Sequence, residues 1–142
     1  MIRLPALVAA IALIFAGCSG GSIVAVTGKV TFDNKPLAGA NVTFQPLHSE
    51  GNADPGSGSY AKTGEDGSYT LRLVQGESPG AVVGKHRVEI IMPVENADEL
   101  ERGDRRPKYK LIIPARYNVD STLTCEVPRG GKADANFDLR SK

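Results

Sequence analysis

The sequence predicts an all-β fold: a seven-stranded antiparallel β-sandwich with at most one short helix, placed in the 93–113 connection. Three observations carry that prediction. From Val24 onward, apolar and polar side chains alternate with a period of two, as strands with one buried face require. Turn residues break the alternation about every 8 to 12 residues, the spacing of sandwich strands. Sixteen Gly and nine Pro in 142 residues describe a turn-rich chain, not a helical one.

The elements follow in order. In 26–32, Val26, Val30 and Phe32 share one face, and Thr27, Lys29 and Thr31 the other. Asp33-Asn34-Lys35-Pro36 makes a turn, because Asp and Asn accept a left-handed backbone and Pro fixes its own φ. Residues 40–45 return as a strand with Val42 and Phe44 inward. Residues 47–59 are polar and rich in Gly and Ser, and read as a loop. A short strand at 60–63 leads to Gly64-Glu65-Asp66-Gly67, a tight turn of the type that joins hairpins. Residues 68–73 leave it with Tyr69, Leu71 and Leu73 inward, and 74–81 form another connection.

The most regular strand is 84–92, where His86, Val88, Ile90 and Met92 alternate with Lys85, Arg87, Glu89 and Ile91. The connection after it runs to Pro114 and is long for a compact domain. Within it, Asn96 stands three residues before Glu99, a capping pattern for one or two helical turns over 96–102. Finally, 121–127 and 132–139 flank Pro128-Arg129-Gly130-Gly131 and read as a C-terminal hairpin. Leu123, Cys125 and Val127 then face Ala135, Phe137 and Leu139.

Ahead of this domain, which spans 23–142, stands an address. Arg3 precedes 4–15, a run with no charged or strongly polar side chain, and Ala16-Gly17-Cys18 follows. A basic start, an apolar stretch and small residues before a cleavage point make 1–17 a secretory signal peptide. The apolar run is shorter than the ~20 residues of a spanning helix. Ile14-Phe15-Ala16-Gly17-Cys18 resembles a bacterial lipobox, with Phe15 where that pattern usually has Leu. The resemblance implies that Cys18 is diacylated through sulfur, its palmitate-type chains carried on a thioether-linked lipid, becomes the new N-terminus and anchors the domain through the tether 18–22. Two or more chains are needed, since one alone holds only marginally at about 0.8 kcal/mol per buried methylene. Ser19, where an Asp would favour inner-membrane retention, favours the outer membrane by the same resemblance. The alternative is an ordinary signal peptide in which Cys18 is incidental. With Cys18 acylated, Cys125 has no disulfide partner.

Several motifs within the domain are similar to carboxypeptidase regulatory-like domains. They are Val26-Thr27-Gly28-Lys29-Val30, the Pro36-Leu37-Ala38-Gly39-Ala40 stretch, Thr63-Gly64-Glu65-Asp66-Gly67-Ser68-Tyr69, and Pro79-Gly80 leading to Gly84-Lys85-His86. With Ile113-Pro114-Ala115-Arg116-Tyr117-Asn118, the chain resembles short lipoproteins of planctomycete-like bacteria. The resemblance covers 24–140 and implies a transthyretin-like, immunoglobulin-like sandwich that acts as a structural or binding module.

Composition excludes one class of partner. Lys and Arg number 17 and Asp and Glu 16, so the chain lacks the excess of positive charge that binding to nucleic acid requires. No catalytic set is legible either. The transthyretin-like hydrolases of 5-hydroxyisourate carry a His in the first strand and end in Tyr-Arg-Gly-Ser; this chain has no His in 24–32 and ends Asp138-Leu139-Arg140-Ser141-Lys142. Intradiol dioxygenases need two closely spaced His, and His48 and His86 lie in different elements. His86 reads as a core histidine with one satisfied nitrogen, Cys125 as a small buried hydrophobe, and Asp54, Glu65 and Asp66 as solvated turn residues.

One stretch is a candidate contact surface: Glu95, Asp98, Glu99 and Glu101, followed by Arg102, Arg105, Arg106, Lys108 and Lys110; the favoured reading of it is a solvated loop whose opposite charges pair with each other. The expectation is therefore a non-enzymatic, envelope-anchored lipoprotein without cofactor or metal, facing the periplasm or the surface. Its membrane contact runs through the N-terminal lipid. An alternative is a module that binds a polysaccharide or envelope peptide through the 47–59 and 93–113 loops, with those five basic residues as candidate contacts. A transthyretin-like hydrolase is a further alternative.

Overall fold

Alternation in the middle of the chain builds the longest ladder of the molecule, and the other strands arrange themselves around it. The computed structural model describes residues 21–50, 54–93 and 113–142. In chain order its strands are β1 (Ile23–Val24), β2 (Thr27–Phe32), β3 (Lys35–Pro36), β4 (Asn41–Pro46), β5 (Ser59–Lys62), β6 (Ser68–Thr70), β7 (Arg72–Leu73), β8 (Ala81–Val82), β9 (Gly84–Ile91), β10 (Thr124–Val127) and β11 (Phe137–Leu139). A single 3-10 turn at Ala115–Tyr117 is the helical element among the described residues. It lies just beyond the connection in which a helix is expected; the helix at 96–102 falls outside the described residues.

β4 and β9 pair antiparallel from Asn41 opposite Ile91 to Pro46 opposite His86. Outside them stand β10 on β9 and β5 then β7 on β4, giving the order β10-β9-β4-β5-β7. A second sheet forms around β2, with β11 on one side and β3 and β6 pairing with β2 as well, while β1 and β8 make a two-stranded sheet of their own. Val26 just before β2, Val30 of β2, Leu139 of β11 and Tyr69 of β6 belong to the same buried cluster as Val42, Phe44, Val88, Ile90 and Val127. Phe44 meets Phe137 edge-on at 6.1 Å, linking the two sheets through the core. The molecule is thus nearly all β, with several mostly antiparallel sheets, an arrangement consistent with a β-sandwich.

Three expectations change. The described residues carry eleven strand segments, several of only two residues, and the pairing is not wholly antiparallel: β11 runs parallel to β2, Phe137 beside Val30 and Leu139 beside Phe32. The C-terminal hairpin does not form. Its turn is present, Gly131 N–H donating to Pro128, but β10 pairs with β9 while the chain after Gly131 crosses to β2. Alternation records which face is buried and not which sheet a strand joins, so two strands on opposite walls of one core look the same as a hairpin. Third, the 64–67 turn connects two sheets: β6 pairs with β2, and only after Leu71 does β7 return to β5.

Local chemistry explains the turns. Asp33 and Asn34 both take positive φ, 48° and 66°, the two-residue turn their side chains tolerate, and join β2 to β3. Gly67 sits at φ 76°, where a Cβ would lie 2.4 Å from the Val30 carbonyl oxygen, so glycine is required on two counts. Thr63 fastens the start of β4 from behind. Its hydroxyl donates to the Leu37 carbonyl at 2.6 Å and accepts from the Ala40 amide at 2.9 Å.

Candidate functional site

The strand register divides the molecule into two ends, and this decides which candidate residues can act together. β9 begins at Gly84 and ends at Ile91, a length of roughly 25 Å at about 3.3 Å per residue. At the Gly84 end stand β1 and β8 (Val83 N–H donating to Ser22), the exit of β4 (Leu47 N–H donating to Lys85) and the exit of β7 (Val74 N–H donating to Gly58). The chain comes in at Gly21 on this end. At the Ile91 end stand the 33–34 turn, the 64–67 turn and Pro93.

The return from the connection also belongs to the Ile91 end. Ile113 is buried in the core, and the Asn118 amide donates to the Ile113 carbonyl at 3.1 Å. Tyr117 accepts from the Arg140 amide just past β11. Arg102, Arg105, Arg106, Lys108 and Lys110 lie outside the described residues, as do Cys18 and the signal peptide 1–17. The described flanks of that basic stretch are nevertheless at the end opposite to the 47–58 loop.

The most reactive side chains meet in the core. His86 and Cys125 are directly opposite on β9 and β10, both inward. His86 Nε2 lies 2.8 Å from the Val82 carbonyl oxygen, which fixes the proton on that nitrogen; Nδ1 is buried with no hydrogen-bond partner among the described residues. Burial pushes the His86 pKa down, against a smaller opposing effect of the Val82 bond. Burial likewise pushes the Cys125 thiol up, though Lys132 nearby pulls the other way. The pair is therefore imidazole and thiol at neutral pH, neither imidazolium nor thiolate, and a thiol in that state is a poor nucleophile. His86 packs against Phe44 with ring centres 5.6 Å apart, as a core histidine does. Cys125 is a free, buried cysteine.

An open groove of about 710 Å³ crosses the outer side of β2 and β6. Thr27, Lys29, Lys62, Ser68, Thr70 and Asn136 line it. Lys29 Nζ stands 3.8 Å from Asp66, whose carboxylate also accepts from the Ser68 amide and hydroxyl; those bonds, and then Lys29, hold Asp66 below the usual carboxylate range. The Asn136 side chain accepts from the Lys29 amide at 2.8 Å. The surface is polar, hydroxyl-rich and shallow. Sequence reasoning missed it, because alternation marks Thr27, Lys29 and Thr70 only as outward and does not show that Asn136 joins them. Among the described residues, no three His, Cys, Asp or Glu side chains are grouped to hold a metal ion.

No family model, curated protein or solved structure matches this chain.

Proposed function

We propose that this protein is a lipid-anchored envelope lipoprotein whose β domain serves as a non-enzymatic structural or binding module. The observation that carries the reading is the order Arg3, an apolar 4–15, then Ala16-Gly17-Cys18 and a Ser- and Gly-rich 19–22. The neutral state of the buried His86 and Cys125 pair is in keeping with a module that does no nucleophilic chemistry. The domain itself we read as a seven-stranded, transthyretin-like sandwich of the carboxypeptidase regulatory-like type. β6 and β7 count as one strand bent at Leu71, and β1, β3 and β8 as two-residue additions. Location in the envelope, with the outer membrane favoured, follows from Cys18 and Ser19.

The test is metabolic labelling with a palmitate analogue followed by fractionation. Wild type takes up label and sediments with membranes; Cys18→Ala takes up none and is released. A wild-type chain that stays unlabelled defeats the reading. A second reading, recognition of a polar polymer such as a polysaccharide, draws on the hydroxyl-rich groove over β2 and β6. Binding on a glycan array that persists in a Lys29→Ala, Lys62→Ala double variant would remove that groove from consideration.

A further inference from the structure

Five large apolar residues are exposed among the described residues: Ile23, Leu47, Tyr60, Val74 and Val119. Three of them, Ile23 at 48%, Leu47 at 38% and Val74 at 58%, belong to the Gly84 end. Ile23 is opposite Val82 in the β1–β8 pair, Leu47 leaves β4 bonded to Lys85, and Val74 leaves β7 bonded to Gly58. The loop before Gly58 is packed onto the same place, since a Cβ on Gly56 would lie 3.1 Å from the Val82 side chain. Three separate connections thus each present an aliphatic side chain at one end of the domain.

The chain outside the described residues says what covers that end. Residue 21 is the first described, and Cys18 precedes it by three residues, a span of at most about 10 Å when fully extended. We infer that the Gly84 end rests on the bilayer surface, with Ile23, Leu47 and Val74 dipping into the lipid interface around the Cys18 anchor. This rests on the lipoprotein reading and adds to it an orientation. The partner is a lipid surface met through aliphatic side chains; Lys85, the neighbouring cation on β9, is already opposite Glu126 of β10. The flanks of the basic stretch, Pro93 and Ile113, are at the far end.

The experiment uses the full lipidated protein in vesicles of phosphatidylethanolamine and phosphatidylglycerol containing doxyl-labelled lipid. A bimane probe is placed on Val74→Cys or on Asn34→Cys, each with Cys125→Ala; the Cys18 sulfur, held as a thioether, does not react. Quenching at position 74 at least three times that at position 34 is the expected result. Equal quenching at both, or stronger quenching at 34, in a chain that carries lipid overturns the orientation and leaves the anchor standing. A chain that carries no lipid overturns both. Hydrogen exchange on the unlabelled lipidated protein gives a second reading that needs no substitution: vesicles slow the amides of 54–58 and 74–80 and leave 33–40 unchanged. Slowing confined to 33–40 overturns the inference.

Discussion

The two sheets are held together in different ways. The sheet around β4 and β9 rests on long regular ladders, six residue pairs between β4 and β9 alone, over a face of aliphatic side chains. The sheet around β2 is assembled from pieces of two and three residues, and side chains bond its parts together. The Tyr69 hydroxyl donates to the Ala135 carbonyl, the Thr31 hydroxyl donates to Asp138 at 2.6 Å, and Asn136 accepts from the Lys29 amide. Gly28 lies directly opposite Tyr69, and a Cβ on it would stand 1.9 Å from the Ala135 carbonyl oxygen and 3.0 Å from the Tyr69 hydroxyl. A ladder spreads its stabilisation over many equivalent bonds. A set of short strands depends on a few positions that have no substitute.

That contrast is open to attack in order of expected effect. Phe44→Ala removes a fully buried ring that touches both His86 and Phe137, and is expected to cost about 4 kcal/mol in urea unfolding. A loss of under 1 kcal/mol would mean that the two sheets do not share this core. Gly28→Ala adds one methyl group against backbone and is expected to cost about 3 kcal/mol, close to the loss of a whole aromatic side chain. The same substitution at Gly130, where a Cβ meets nothing within 4 Å, is the control and leaves stability nearly unchanged.

Tyr69→Phe keeps the ring and deletes the donor to Ala135, at an expected cost of about 1.5 kcal/mol. If the β2 sheet relies on such bonds, amides of β11 exchange faster in this variant while those of β9 stay protected. The smallest effect is a pH slope. The folded-state pKa of His86 is lowered by burial, so below its unfolded value of about 6.5 the unfolded chain binds a proton that the native one refuses. Stability is therefore fully present above about pH 6.5 and falls as pH drops from there toward the folded value. His86→Leu should flatten that stretch of the urea-midpoint profile; an unchanged slope would mean that another group titrates there.

Legibility in the sequence follows the same division. Of the inward set, Val26, Val30, Val42, Phe44, Tyr69, Leu71, Leu73, His86, Val88, Ile90, Cys125, Val127, Ala135 and Leu139 are buried, because period two encodes burial directly, while Phe32, Met92, Leu123 and Phe137 are half-buried at the rim of the core. Asp33 and Asn34 are where their backbone tolerance puts them. Strand partnership is another matter. Lys29 and Asn136, or Thr31 and Asp138, stand 107 residues apart in the chain, and no local pattern announces that they meet. The polar groove is built from such meetings and was hidden for that reason. The candidate contacts Arg102 to Lys110 were legible as charge, and the register of β4 and β9 then separated their flanks from the 47–58 loop.

The parallel placement of β11 beside β2 has a consequence for how the protein comes into being. A chain delivered residue by residue, from a ribosome or through a membrane pore, presents β2 about a hundred residues before β11. β3 and β6 reach one edge of β2 early, but the other edge must wait for β11, and distant pairings of this sort make folding slow. Without residues 137–139, β2 would carry one bare edge.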